Sequence, residues 1–215
     1  MLRKIGFGLL WLGFLSYAFI FAPPDQPDTW ELIQRLSLGK WQDINPLVIA
    51  LFNLMGIWPV IYSAVLLSDG TGQKIRPWPF AVASFAVGAF AVLPYLALRS
   101  PNQVFSGRKT LLLKLLDSPV TGVILTIVVV ILLAYGYTGD VANFIQHFQS
   151  SRFIHVMSLD FCLLCLLFPT LLGDDMARRG VKNQGFFWLI ALIPLLGPLI
   201  YLSVRPPLPE LELNT

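Results

Sequence analysis

The stretch FIHVMSLDFCLLCLLFPTLLGDD, residues 153–175, decides the class of fold. Its apolar part is long enough to cross the hydrocarbon core of a bilayer, which takes about 20 residues of α-helix. A single carboxylate, that of Asp160, lies near the middle of this apolar part. The stretch therefore predicts a membrane helix, and it raises the question of what the Asp160 side chain contacts.

The composition of the whole chain also indicates an integral membrane protein. Of its 215 residues, 56% are hydrophobic and 13% are charged, whereas about a quarter of the residues in soluble domains are charged. The net charge of +3 is small. The basic residues are spread over several loops rather than clustered, which argues against a nucleic-acid partner. Cys162 and Cys165 lie inside an apolar helix and lack the further ligands that a zinc site needs.

Six segments of the chain reach bilayer length, and no alternation of polar and apolar residues indicates a barrel. The sequence thus predicts an all-α fold, a polytopic membrane helix bundle that forms a single domain over residues 1–215. Two loops, 28–41 and 108–119, combine apolar residues with tryptophan or lysine, which predicts short interfacial helices. No internal repeat is evident. The predicted spans are residues 5–22, 46–67, 79–98, 119–138, 153–172 and 186–204.

The distribution of lysine and arginine over these six spans leaves the orientation open. The side that holds the N-terminus carries 6 of the 15 basic residues and the other side carries 9. The positive-inside rule thus favours an external N-terminus. The basic start of the chain, with Arg3 and Lys4, and the acidic first loop favour the opposite orientation.

The Asp160 side chain can be weighed against its apolar surroundings. An Asp at the centre of a membrane helix costs about 2.5 to 3.5 kcal/mol on insertion scales, and each large apolar residue offsets about 0.3 to 0.6 kcal/mol. The segment therefore inserts, but the carboxylate must face protein or water and be paired or protonated. Two interpretations stay open: a proton relay, ion relay or ligand contact, or a structural hydrogen bond between helices. The candidate functional residues are Asp160, Asn53 and His155, and the candidate structural partners are Asn53, Tyr62, Thr126 and Tyr135.

Motifs for catalysis are absent from the sequence. His147 and His155 have no associated nucleophile motif, so no catalytic, metal-binding or cofactor-binding residue is predicted. The segment GDDMARRG, residues 173–180, places aspartate and arginine four residues apart, as in helix-stabilising pairs. It resembles the D-G-x-x-A-R portion of CDP-alcohol phosphotransferases but departs from its spacing. We interpret it as a solvated helix end.

Two stretches resemble a known family: NPLVIALFNLMGIWPVIYSAVLLSDG, residues 45–70, and QKIRPWPFAVASFAVGAFAVLPYLALR, residues 73–99. They are similar to uncharacterised multi-spanning membrane proteins of cyanobacteria and plastids. The resemblance implies a thylakoid or plasma membrane, and it implies no activity for any residue. The residues that carry it are Asn53, Trp58, Pro59, Asp69, Trp78 and Pro94.

Three functions are compatible with these features. The first is a non-enzymatic accessory, assembly or scaffold component of a larger membrane complex, photosynthetic if the resemblance holds, with membrane lipid and other membrane proteins as its partners. It rests on the short loops and on a stripe of small residues suited to close helix packing, namely Ala81, Ser84, Gly88 and Ala91. The alternative is a small transporter or proton-coupled carrier with Asp160 as its protonation site. The third is an intramembrane enzyme on a lipid or pigment, which needs a second ionisable group near Asp160.

Overall fold

The structure, a computed structural model, describes residues 2–209, and over this part of the chain it is all helical. The predicted all-α fold is therefore confirmed. Short helices also occur in both loops for which the sequence predicts them. The helices are α1 (Leu2–Ser16, continued by a wider π-helical turn at Tyr17–Phe21), α2 (Thr29–Ser37), α3 (Pro46–Asp69), α4 (Trp78–Val87), α5 (Ala89–Leu98), α6 (Leu111–Asp117), α7 (Pro119–Gly136), α8 (Val141–Ser150), α9 (Arg152–Leu167), α10 (Pro169–Arg178), α11 (Gln184–Leu192) and α12 (Leu196–Val204).

Four helical stretches are long and apolar enough to cross a membrane. They correspond to the predicted first, second, fourth and fifth spans. The last of them contains both α9 and α10, and Pro169 opens α10. Proline is tolerated there because the first turn of a helix offers its N–H groups no partner. The four stretches are Leu2–Phe21, Pro46–Gly72, Pro119–Gly136 and Arg152–Arg178.

The predicted third span, residues 79–98, is wrong as a single helix. The chain reverses at Gly88, whose φ of 50° and ψ of −124° suit glycine and strain other residues, so α4 and α5 form a helical hairpin. The two ends of this hairpin lie side by side. Arg99, after α5, forms an ion pair with Asp69, before α4, with an Nη2–Oδ1 distance of 2.5 Å. Each arm has ten residues and is about 15 Å long, roughly half the thickness of a bilayer core.

The predicted sixth span, residues 186–204, is a second hairpin, made of α11 and α12. The chain turns at Leu195, which has a φ of 61°. Gly197 then packs so closely on α11 that a Cβ there would lie 2.1 Å from a carbonyl oxygen of that helix. Arg205, after α12, returns to Asp175, before α11, with an Nη1–Oδ2 distance of 3.1 Å. The six predicted spans are therefore replaced by four long helices and two hairpins.

Both hairpins enter the bundle from the same end, which we call the ionic end because it holds the ion pairs just described. α1 also begins there, since the Arg3 guanidinium donates to the Arg99 carbonyl at 2.8 Å. α2 and α8 lie at the other end, which we call the opposite end. There, the Asn45 amide, just before α3, donates to the carbonyl of Asp140, just before α8, at 2.7 Å.

An internal repeat, which the sequence alone does not reveal, relates the two halves of the chain. Adding 106 to the residue numbers of α3, α4 and α5 gives the bounds of α9–α10, α11 and α12 to within three residues. The packing repeats as well, because α1 packs along α5 as α7 packs along α12. Only eight of the 36 residues 66–101 are identical to their counterparts, so the repeat is easily overlooked. Three pairs of counterparts are chemically distinctive: Asp69 and Asp175, Tyr95 and Tyr201, Arg99 and Arg205.

The core of the bundle lies between α3 and α9–α10, at the centre of the molecule. Trp58 and Tyr62 of α3 are fully buried, and their ring centroids lie 6.4 Å and 6.0 Å from that of Phe168. The Tyr62 hydroxyl donates to the carbonyl of Leu164 at 2.7 Å, so the polar atom of this ring is satisfied inside the core. α9 lies centrally in the bundle, since it contacts α3, α5 and α8.

Candidate functional site

Asp160 lies at the tip of the first hairpin. Its Oδ1 accepts a hydrogen bond of 2.7 Å from the backbone N–H of Ala89, the first residue of α5. This N–H and the positive end of the α5 dipole both stabilise a carboxylate. A Cβ at Gly88 would lie 1.8 Å from Oδ2, so only glycine leaves room for the Asp160 side chain. The hairpin tip and the carboxylate are thus fitted to each other.

The hydrogen bond between helices that the sequence suggests for Asp160 is present, but its donor is a backbone group. None of the four predicted side-chain partners donates to Asp160, and the Tyr135 ring lies 6.1 Å from that of Trp41. Tyr62 donates to a carbonyl of α9 at 2.7 Å, and Thr126 donates to a carbonyl of its own helix at 2.8 Å. A broken helix supplies an N–H that an unbroken one would have used itself, and sequence periodicity does not show where a helix breaks.

Asn53 and His155, the other two candidate residues, are held by contacts away from Asp160. The Asn53 amide donates to the carbonyl one turn earlier in α3, at 2.8 Å. His155 is buried, with Nδ1 at 2.8 Å from the Phe148 carbonyl and Nε2 at 2.8 Å from the Tyr17 hydroxyl. Because a carbonyl can only accept, Nδ1 carries the proton and Nε2 accepts from the tyrosine. His155 therefore ties three helices together at the opposite end.

A cavity of about 590 Å³ lies beneath the tip of the first hairpin. It exists because the hairpin is about half as long as its neighbours and leaves space between α1, α3 and α9. Asp160 lines its inner end, and Asp25, Thr29 and Arg152 line it at the opposite end of the bundle. Arg152 and Asp160 are eight residues apart on α9, about 12 Å along the helix axis. The volume is that of a typical small-molecule site, for which about 300–1,000 Å³ is usual.

The walls of this cavity are apolar, and most of their polar atoms already have partners. The Trp11 indole N–H donates to the Phe90 carbonyl at 3.0 Å, and the Ser84 hydroxyl donates to the Ala81 carbonyl at 2.7 Å. The Asp160 carboxylate is therefore the polar group available to a ligand at the inner end. The aromatic and sulfur-containing side chains of the walls are Trp11, Phe19, Phe52, Met55, Phe85, Phe90, Phe153 and Met157.

The ionic end holds a buried triad from the first repeat, made of Asp69, Tyr95 and Arg99. The Tyr95 hydroxyl donates to Oδ2 of Asp69 at 2.6 Å. The Arg99 guanidinium donates to both carboxylate oxygens, at 2.7 Å from Nε and 2.5 Å from Nη2. All three side chains are fully buried. Such a bidentate, charge-assisted pair has a defined geometry and fixes the ends of α3 and α5 against each other.

The second repeat supplies an equivalent triad, made of Asp175, Tyr201 and Arg205. The Tyr201 hydroxyl donates to Asp175 at 2.7 Å and the Arg205 guanidinium donates at 3.1 Å. In both triads the tyrosine follows the aspartate by 26 residues and the arginine follows it by 30. The same three side chains thus perform the same task in each repeat, which is to hold the two ends of a hairpin at the end of a long helix.

Hydrogen bonds and ion pairs also cross between the repeats. Arg178 bridges the two aspartates, at 2.9 Å from Asp69 and 3.2 Å from Asp175. Ser68 of the first repeat donates to Asp175 at 3.1 Å. Its counterpart in the second repeat, Asp174, accepts from the arginine of the first triad at 2.6 Å. The two repeats therefore share one network of charges.

This network extends to α6. Arg179 donates to Asp175 at 2.8 Å and to Asp117 at 2.6 Å, and Lys109 lies 3.1 Å from the other Asp117 oxygen. Burial alone would raise the pKa of Asp117, but the Arg179 charge and its hydrogen bond, with smaller contributions from the Leu208 N–H and Lys109, hold that pKa below its usual value. We call the whole network the ionic cluster; its members are Asp69, Arg99, Lys109, Asp117, Asp174, Asp175, Arg178, Arg179 and Arg205.

The interpretation of residues 173–180 as a solvated helix end is wrong. Asp175 is 0% exposed, Arg178 4% and Arg179 8%. Of the two aspartate–arginine pairs that the spacing predicts, Asp175–Arg179 forms. Asp174–Arg178 does not, because Arg178 contacts Asp175 and Asp174 pairs with Arg99. The burial of this segment depends on partners from distant parts of the chain, which local spacing does not reveal. The available signal was the equal spacing of Asp, Tyr and Arg in the two halves.

Neither metal binding nor similarity to known proteins identifies the function of the site. Among residues 2–209, no group of three or more His, Cys, Asp or Glu side chains is placed to hold a metal ion. Comparison of the chain with protein-family models, with curated proteins and with solved structures found no match. The function is therefore argued from the geometry of the cavity and of the ionic cluster.

Proposed function

We propose that this chain is a small multi-pass membrane carrier that binds an amphiphilic molecule in the cavity, with Asp160 as its polar contact. The observation that carries the proposal is an apolar cavity of about 590 Å³ that ends on a carboxylate at the break of a half-length helix. In this proposal the four long helices cross the bilayer and the two hairpins re-enter it from the ionic end. Helices broken at corresponding positions of two repeats are typical of substrate sites in transporters.

The basic residues favour one orientation for such a carrier. With hairpins in place of the third and sixth spans, the ionic end carries 12 of the 15 lysines and arginines. The opposite end carries only Arg35, Lys40 and Arg152. The positive-inside rule thus favours a cytoplasmic ionic end, with the cavity on the non-cytoplasmic side. The six-span interpretation was ambiguous because its extra crossing at residues 79–98 assigned the basic loops 99–118 and 173–185 to the side opposite the N-terminus, and Arg152 to the side of the N-terminus.

The ionic cluster would act as the closed gate of this carrier. The cavity extends from Asp160 to the opposite end, while the core and the ionic cluster fill the bundle between Asp160 and the ionic end. Release on that side requires the two repeats to move apart, as in the rocking of one repeat against another in known transporters. Arg178, which bridges the two triads, would have to give up one of its aspartates.

The accessory or scaffold role loses part of its support. The small-residue stripe of 79–98 is used inside the molecule: Ala81, Ser84 and Ala91 are 4%, 2% and 6% exposed, and Gly88 lies against Asp160. That role stays a prediction, as does the thylakoid or plasma membrane location. An intramembrane enzyme also stays a prediction, since the further ionisable groups that line the cavity lie at the opposite end.

A cavity-filling variant tests the proposal. Gly56 lines the cavity, and a Cβ there would meet nothing within 4 Å. Gly56→Leu should therefore fold normally and occupy the space. Gly13→Leu is the matched control, because Gly13 is equally free of neighbours and does not line the cavity.

The readout is equilibrium binding of labelled neutral, anionic and cationic amphiphiles to the full chain in nanodiscs. We expect at least one class of amphiphile to bind to the native chain. The affinity of Gly56→Leu for that class should be at least tenfold lower, and the affinity of Gly13→Leu should equal that of the native chain. Binding that is absent for all three classes, or that is equal in native chain and Gly56→Leu, would refute a ligand site in this cavity.

A further inference from the structure

The inner end of the cavity presents a carboxylate whose only hydrogen-bond donor among the described residues is a backbone N–H. Oδ1 of Asp160 accepts from Ala89 at 2.7 Å, and Oδ2 receives no donor from residues 2–209. Asp160 also takes part in no ion pair within that range, unlike the four aspartates of the ionic cluster. An ionised carboxylate in apolar surroundings is costly unless a positive charge is placed beside it.

The other ionisable groups around Asp160 do not supply that charge. Arg152 lies at the opposite end of the cavity, where its Nε donates to the Pro23 carbonyl at 3.0 Å. Asp25, near the same end, accepts from Thr29 at 3.0 Å. On α3, the Tyr62 hydroxyl is committed to a backbone carbonyl. α1, α4 and α5 contribute no charged side chain to the cavity. The balancing charge must therefore come from a proton or from the ligand.

The walls around the carboxylate suit a positively charged ligand. Five phenylalanine rings and the Trp11 ring line the cavity, together with the sulfur atoms of Met55 and Met157. Aromatic faces attract cations through the negative charge above the ring, most strongly where water is excluded. An anion would be repelled by both these faces and the Asp160 carboxylate, and a neutral molecule would gain nothing from the charge of that carboxylate, because Asp160 would have to keep its proton.

We infer that the cavity takes a lipophilic organic cation, such as a protonated amine or a quaternary onium ion, in exchange for the proton of Asp160. This inference rests on the proposed carrier function and names its substrate class. When the cation enters, the Asp160 O–H bond breaks, its proton leaves for water through the open end, and the carboxylate becomes the counter-ion of the ligand. When the cation leaves, a proton from water returns to the same oxygen. Oδ1 keeps its bond to Ala89 in both states.

A pair of probes with the same size and opposite charge tests the inference. Tetraphenylphosphonium and tetraphenylborate have nearly the same shape, so a difference in affinity reports the charge preference of the cavity. We expect the native chain in neutral nanodiscs to bind the phosphonium at least tenfold more tightly than the borate. Below the pH at which the site protonates, phosphonium affinity should fall roughly tenfold per pH unit, because proton and cation compete for one carboxylate. Equal binding of the two probes would overturn the inference.

Two further measurements separate this inference from the carrier proposal. Asp160→Asn keeps an acceptor for the Ala89 N–H, and it should abolish phosphonium binding while its circular dichroism stays helical. In weakly buffered solution at a pH where phosphonium affinity falls tenfold per pH unit, the native chain should release about one proton per bound phosphonium, a readout that does not depend on how any variant folds. Cation binding without proton release would overturn the exchange. If the borate or a neutral amphiphile binds instead and Gly56→Leu abolishes that binding, the cation inference fails and the carrier proposal survives.

Discussion

Replacement of Asp69 by asparagine removes one negative charge from the ionic cluster and leaves the side-chain volume almost unchanged. The native carboxylate is fully buried and pairs with Arg99 and Arg178. In Asp69→Asn, Arg99 keeps Asp174 and Arg178 keeps Asp175, but the excess of cations over carboxylates in the cluster rises from one to two. Breaking a buried ion pair from one side costs about 3–5 kcal/mol, and we expect a loss of that size in the free energy of unfolding.

Two milder variants calibrate this result. Tyr95→Phe removes only the hydroxyl that donates to Asp69, and the same oxygen keeps Arg99 as a donor. We expect a loss of about 1.5 kcal/mol, the lower end for hydrogen bonds to charged groups. Asp28→Asn removes an exposed charge that makes no capping bond to α2, so its effect should stay within about 0.5 kcal/mol.

The assay is reversible unfolding in mixed micelles of a mild detergent and dodecyl sulfate, followed by circular dichroism. The expected order of stability is Asp28→Asn, then Tyr95→Phe, then Asp69→Asn as the least stable. If Asp69→Asn unfolds within about 1 kcal/mol of Asp28→Asn, the carboxylate is solvated in the native protein. The ionic cluster would then not hold the hairpin ends.

Three further predictions address the hairpins and the ionic end. Gly88→Ala should lower the stability by more than about 2 kcal/mol, because the new Cβ meets Asp160 at a positive φ; Gly13→Ala, measured by the same unfolding assay, should not. In intact cells, Lys74→Cys and Ser100→Cys should both be protected from an impermeant thiol reagent, and both should react once the membrane is permeabilised, whereas six full spans would place them on opposite faces. The lowered pKa of Asp117 contributes stability above the ordinary aspartate pKa, and this is lost as the pH falls through the lowered value. Thermal unfolding of the native chain should therefore become easier in acid, and Asp117→Asn should show a flatter profile and a lower midpoint at neutral pH.

The sequence predicts the parts of this fold that depend on local composition. Apolar length identifies the four long helices, and the cost of a buried carboxylate shows that Asp160 needs a partner. These inferences need no knowledge of which segments meet in space.

The hairpins and the ionic cluster depend on contacts between distant residues. A segment of twenty apolar residues is compatible with one full-length helix or with two half-length helices. For residues 79–98, the backbone conformation at Gly88 distinguishes between these two possibilities. Arg99 and Arg205 look like ordinary loop residues that follow a helix. Their aspartates lie 30 residues earlier in each repeat, and that equal spacing becomes informative only when the two halves are compared.

The bonds that cross between the repeats bear on the origin of this chain. Ser68 and its counterpart Asp174 each form a hydrogen bond with the triad of the other half. A half-length ancestor on its own would therefore lack these bonds at its ionic end. Two identical copies, paired side by side, would satisfy each other. Fusion of two such copies into one chain would let them diverge. The counterpart of Asp160 in the first half is Leu54, so the acid beneath one hairpin is a difference that a pair of identical subunits could not have had.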